Sequence, residues 1–137
     1  MSDTPCTKPG QFSWNELIST KTADSADFYG KLFGWKATPF VPKGAPECAP
    51  PYMIFKNGED DEMGVGGMVA PMHPEAPTHW IPYVVVEDAD ASLANAIGLG
   101  ATVIVPVMPI GEVGRITVIK DPQGAVIGLH EFPKQAP

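Results

Sequence analysis

The 137-residue chain has little of what usually announces a function. It holds two cysteines, Cys6 and Cys48, too few for a four-thiolate metal site, and a distant pair of this kind is expected to stay reduced. Charged residues make up only 18%, and the nine basic ones are scattered singly among sixteen acidic ones. The resulting formal charge of -7 repels phosphate backbones and anionic lipid, so neither nucleic acid nor a membrane surface is an expected partner. The uncharged stretch between Glu75 and Glu87 is too short and too proline-rich to span a bilayer, and residues 1–11 lack a secretory apolar core. A cytoplasmic location is expected.

What the chain does have is sixteen prolines and fourteen glycines, with 44% hydrophobic residues, enough for one core. Breakers at that density favour short strands joined by turns and argue against an all-α chain. The aromatic and β-branched run from Phe12 predicts a strand. Ala26, Tyr29, Leu32 and Phe33 then form one apolar stripe, predicting a helix over 22–33 with Thr22 or Asp24 as N-cap and Gly34 as stop. Strands are expected at 35–41, 52–56 and 62–70.

After a linker at 71–77 the same grammar restarts. A strand at 80–87 leads to a helix over 88–99 capped by Asp88 or Asp90, with Ala89, Leu93, Ala96 and Ile97 as its stripe. Strands at 101–105, 115–120 and 125–131 complete the series, the last two joined by the tight turn Asp121-Pro122-Gln123-Gly124. The pattern is βαβββ twice, an α+β arrangement. Gly34 and Gly100 lie 66 residues apart, as do Trp14 and Trp80. Residues 1–10 read as an N-terminal arm and 11–137 as a single domain, with one module at about 12–70 and the other at about 79–132. Two such sheets, each backed by a helix, would leave their inner faces to line a shared cup.

Four segments carry a family resemblance: Trp14-Asn15-Glu16-Leu17; Phe28-Tyr29-Gly30-Lys31-Leu32-Phe33-Gly34-Trp35; Val86-Glu87-Asp88-Ala89-Asp90-Ala91; and Asp121-Pro122-Gln123-Gly124. With them the chain resembles the vicinal oxygen chelate superfamily of glyoxalases, bleomycin-resistance proteins and ring-cleaving dioxygenases, over about 12–132. The resemblance implies a cup-shaped mixed sheet with helices outside, and a divalent metal held by imidazole and carboxylate ligands from the first and last strand of each module. Carried over, the ligand positions fall on Trp14, within 64–69, on Ile81 or Trp80, and on Gly128. None of these residues is a metal ligand, so neither a metal nor another cofactor is expected. His79, His130 and Glu16 lie within two residues of those positions and could form a displaced polar cluster.

Glu16 and His79 are the candidate acid–base residues: a carboxylate on an apolar strand needs a partner or a proton. The alternatives are pairing to Arg115 or a place at the rim for Glu16, and a rim or turn position for His79. Trp14, Met68, Tyr83, Arg115 and His130 are the candidate ligand contacts. Trp14 could stack on a flat ligand, Met68 line the cup, Tyr83 donate a hydrogen bond, and Arg115 anchor an anion. Core filling for Trp14 and Met68, rim packing for Tyr83, a structural salt bridge for Arg115 and a solvent-facing or hydrogen-bonded His130 are the plainer alternatives. The expected function is metal-independent binding of a small molecule, in a homodimer. The competing expectation is an enzyme acting on a small carbonyl or aromatic substrate through Glu16 or His79.

Overall fold

A computed structural model describes residues 8–41, 43–44 and 51–133. Cys6, Cys48 and most of the expected N-terminal arm lie outside them. The elements run β1 (Phe12–Ile18), α1 (Thr22–Phe33), β2 (Lys36–Phe40), β3 (Tyr52–Lys56), β4 (Gly66–Val69), β5 (His79–Val85), α2 (Ala89–Gly98), β6 (Thr102–Pro109), β7 (Arg115–Lys120) and β8 (Val126–Glu131), with a 3₁₀ turn at Gly111–Val113. This is the doubled βαβββ pattern, α+β, with eight strands in mixed pairing. The chain divides into two compact units, one holding residues 14–41 and 46–81, the other 1–13, 42–45 and 82–137.

In the first unit the strand order is β2-β3-β4-β1, antiparallel except for the parallel β1–β4 pair. Alternation along each strand sends Leu17, Phe55 and Met68 to one face, where they form a core against Ala26, Tyr29, Trp35, Ala37 and Met53. Tyr29 of α1 also accepts a 3.0 Å hydrogen bond from Trp80 Nε1. The helix ends as expected on Gly34, in the left-handed region at φ 80°, whose N–H reaches the Gly30 carbonyl at 2.8 Å. Its start differs from expectation. Lys21 holds the cap position, and the buried Ser19 hydroxyl accepts the Lys21 N–H at 3.1 Å and bonds Ser25 at 2.7 Å. Leu32 and Phe33, expected on the buried stripe, are more than half exposed.

β4 is shorter than expected because the Asp61 carboxylate folds the preceding segment into a turn. It accepts the Asn57 and Gly64 N–H groups at 2.9 and 2.8 Å, and Gly64 supplies a φ of 85°. These bonds hold the Asp61 carboxyl below its usual range.

The second unit repeats the order as β5-β8-β7-β6, with β5–β8 parallel. The Asp88 side chain accepts the Ala91 N–H at 3.1 Å and caps α2, while Glu131 of β8 accepts the Ala89 N–H at 2.9 Å. Ile97, expected on the buried stripe, is half exposed. β6 runs past its expected end at 105, carrying Pro106 and Pro109. It is an edge strand, where a missing N–H costs no ladder bond, and two register shifts absorb the irregularity. Thr117 is fully buried and donates its hydroxyl proton to the Val105 carbonyl at 2.7 Å.

Candidate functional site

The face of the first unit away from α1 carries Trp14 and Glu16 from β1, Tyr52 and Ile54 from β3, Gly67 from β4 and Thr38 from β2. Cross-strand register sets this grouping: Glu16 lies opposite Gly67, Gly67 opposite Ile54, and Ile54 opposite Thr38. Gly67 is the gap in that row. A Cβ there would collide with the hydroxyl end of Tyr52, so the phenol lies across the glycine. From there Tyr52 accepts a 2.8 Å hydrogen bond from Trp14 Nε1 and donates to the Glu16 carboxylate.

The result is a directed chain from indole N–H to phenol to carboxylate. Burial, followed by the charge of Glu16, pushes the Tyr52 phenol well above its ordinary value, and the indole bond opposes that shift. The phenol is therefore neutral at physiological pH, with its proton directed at the Glu16 carboxylate. Chemically, the face offers an aromatic side chain, a neutral phenol and a half-buried carboxylate oriented by it.

Trp14 and Glu16 are thus brought together. Tyr52 was not among the expected residues. Its signal was its parity: three positions before the deeply buried Phe55, it must face the other way, although only the β3–β4 register reveals that it reaches Glu16. Met68 requires correction. It is 1% exposed and packs with Leu17 and Phe55 under α1, on the opposite face from Glu16, so it lines the core. His79 is the first residue of β5, with its Nδ1 2.6 Å from the Pro77 carbonyl.

In the second unit Tyr83 and His130 share the face away from α2, since Tyr83 lies opposite Gly128 and Val85 opposite His130. The Tyr83 ring occupies the space a Gly128 Cβ would need. His130 is 6% exposed, so of its two plainer alternatives the hydrogen-bonded place applies and the solvent-facing one does not. Its ring lies 2.8 Å from the Val113 carbonyl and 3.3 Å from the Ser13 hydroxyl, and 4.2 Å from the Phe132 ring. Burial lowers its pKa, against the opposing pull of the Val113 carbonyl. Arg115 also requires correction as a ligand anchor. It faces α2, bonds Glu131 through Nε and Nη2 at 2.9 and 2.6 Å, and meets Asp90 at 2.7 Å and Asp88 at 3.7 Å. Those acids hold its guanidinium above its ordinary pKa, and its donors are committed to them.

The repeat also needs adjusting by one residue. Glu16 opposite Gly67 matches Tyr83 opposite Gly128, an offset of 67 along the first strands. Ile81, not Trp80, is therefore the counterpart of Trp14. Trp80 packs instead on Tyr29 and Phe55, on the helix side.

These placements decide how well the metal implied by the family fits. The Trp14 nitrogen donates to Tyr52, Ile81 is apolar and buried, and tyrosines fill the volumes that a side chain at Gly67 or Gly128 would take. Among the described residues no three His, Cys, Asp or Glu side chains converge as a metal site. The residues present do not fit the family's metal.

The family model of the glyoxalase-like domain matches residues 17–130. The chain belongs to the glyoxalase-like domain family. It is 35% identical over 127 residues to "Putative glyoxylase CFP32" of Mycobacterium tuberculosis, covering 92% of this chain and 46% of that protein. It is 33% identical over 132 residues to "Anthracycline biosynthesis protein DnrV" of Streptomyces peucetius, covering 88% and 46%. The chain thus spans about half the length of these relatives. Among solved structures it resembles methylmalonyl-CoA epimerase from Mycobacterium tuberculosis, at 13% identity and a TM-score of 0.58 over 98% of this chain and 94% of that one. A methylmalonyl-CoA epimerase in complex with methylmalonyl-CoA and NH4+ gives 16% identity and a TM-score of 0.59, covering 95% and 100%. The glyoxalase-like fold is common to all of them, as the vicinal oxygen chelate resemblance implies. Among the described residues no helix is long and apolar enough to cross a membrane.

Proposed function

We propose that this glyoxalase-like domain binds a small molecule without the family's metal, holding it against the Trp14–Tyr52–Glu16 face of its first module. The observation that carries this reading is the directed hydrogen-bond chain: a phenol laid over a glycine orients a carboxylate on the sheet face away from the helix.

The test is Glu16→Gln, which keeps shape and removes charge, titrated against a panel of flat aromatic and carbonyl compounds by tryptophan fluorescence. Affinity is expected to change about tenfold, roughly 1.4 kcal/mol, with little change in stability. A change in stability alone, with every titration untouched, makes Glu16 a structural partner and ends the reading.

The second reading is an enzyme in which Glu16 moves a proton on a small carbonyl or aromatic substrate. It is favoured by the adjacent neutral phenol, whose hydrogen bond orients the carboxylate that would take the proton. The names of the relatives, a glyoxylase and a biosynthesis protein, agree with it. Turnover lost in Glu16→Gln with binding retained would select this reading. His79 is the weaker acid–base candidate, with its Nδ1 committed to the Pro77 carbonyl. We further propose a cytoplasmic homodimer in which a second copy covers the exposed Phe28, Leu32 and Phe33 side chains of α1. A monomer mass by light scattering from micromolar to millimolar concentration would overturn the dimer.

A further inference from the structure

The face that carries Glu16 continues toward the β2–β3 edge and ends in a feature the hydrogen-bond chain does not use. Lys36 and Lys56 are direct partners across the antiparallel β2–β3 ladder, on the same face as Ile54 and Thr38. Like charges placed directly opposite one another on a sheet destabilise it. Neither lysine forms an ion pair among the described residues; Asp61 spends its carboxylate on the Asn57 and Gly64 N–H groups, and its attraction to Lys56 is the smallest influence on it. The two lysines, Thr38, Gly58 and Glu59 line an open cleft of about 330 Å³. Glu59 offsets one of the two positive charges. The cleft therefore remains net positive in a chain whose formal charge is -7.

We infer that this cleft is a subsite for the phosphate group of a phosphorylated small molecule. Two ammonium groups and the Thr38 hydroxyl supply donors for the three terminal oxygens of a phosphate monoester, whose charge at neutral pH is about -1.5 to -2. A carboxylate offers two oxygens and half the charge. The row Glu16–Gly67–Ile54–Thr38 crosses the sheet, and the lysines lie two residues further along, so strand spacing and rise put them roughly 12–16 Å from Glu16. The inference deepens the reading above and rests on it: the phosphate sits between the lysines while the body of the ligand extends over Ile54 and Gly67 to Tyr52 and Glu16.

The test is calorimetric titration of the whole chain with inorganic phosphate and with phenyl phosphate, at ionic strength held constant with chloride. Both are expected to bind, and Lys36→Gln or Lys56→Gln is expected to weaken each about tenfold, with the double variant abolishing binding. Lys120→Gln, an exposed lysine of the other unit, is expected to leave both unchanged. Absence of phosphate binding up to millimolar concentration, equal weakening by Lys120→Gln, or unaltered binding in the double variant overturns the subsite. Phosphate binding that depends on the lysines, together with titrations of the flat aromatic and carbonyl panel all unmoved by Glu16→Gln, upholds the subsite and removes only the Trp14–Tyr52–Glu16 reading.

Discussion

The two modules share one backbone plan and solve one packing problem differently. In each, a glycine of the last strand lies opposite a residue of the first, Gly67 opposite Glu16 and Gly128 opposite Tyr83, and in each a tyrosine fills the volume the glycine leaves. In the second module the tyrosine is the first-strand residue itself. In the first it comes from β3, which frees the first-strand position for a carboxylate. The edges differ in the same direction: Lys36 faces Lys56 across β2–β3, whereas at the matching place on β6–β7 Thr102 faces Lys120. Charge that a sheet would normally avoid is concentrated in the first module, and the second is the plainer structural solution.

Substituting the two glycines probes this difference most strongly. Gly128→Ala drives a methyl group into the Tyr83 ring, and destabilisation of about 1–3 kcal/mol is expected in chemical denaturation. Gly67→Ala meets the hydroxyl, Cζ and one Cε of Tyr52, the far end of that side chain, so a smaller loss is expected, accompanied by rupture of the Trp14 and Glu16 bonds. The reverse order would break the comparison.

Acid comes next, and it acts on the second module. Burial holds the folded-state pKa of His130 below the ordinary 6.5, so the unfolded chain takes up a proton at a pH where the folded chain does not. Stability is expected to fall as pH drops through 6.5 and to level off below the folded-state value, and His130→Gln should flatten that part of the profile.

The first module is read instead by its phenol. In spectrophotometric titration Tyr52 is expected to ionise well above 10, with Glu16→Gln lowering its midpoint and Trp14→Phe raising it further, since the carboxylate opposes ionisation and the indole bond favours it. The smallest effect is expected at the sheet edge. Lys36→Gln should raise stability by a few tenths of a kcal/mol by removing a like-charge pair, and Lys120→Gln should not.

Much of this fold was legible because its punctuation is chemical. Gly34 ends a helix, Asp88 starts one, and Asp121-Pro122-Gln123-Gly124 turns a hairpin, each through local bonds that a sequence displays. The misses share a cause. Pro106 reads as the end of a strand unless the strand is known to lie at an edge, and Met68 reads as cup lining until β4 is registered against β1. Glu16 and Trp14 could be named from one strand, but Tyr52 depends on a partner two strands away. Arg115 reads equally as an anion anchor or a salt-bridge residue until the fold brings it the acids of α2 and β8.

The parallel joining of β1 to β4 has a kinetic consequence. The β7–β8 hairpin closes across a short turn and needs little chain entropy, whereas Glu16 meets Gly67 only after α1, β2 and β3 have been placed between them. Leu17 and Met68 should accordingly show low φ-values and the β7–β8 pair high ones. The Glu16–Gly67 row is then a product of the last stage of folding, and a nascent chain that has released Tyr52 but not yet β4 carries a phenol with no glycine to lie across.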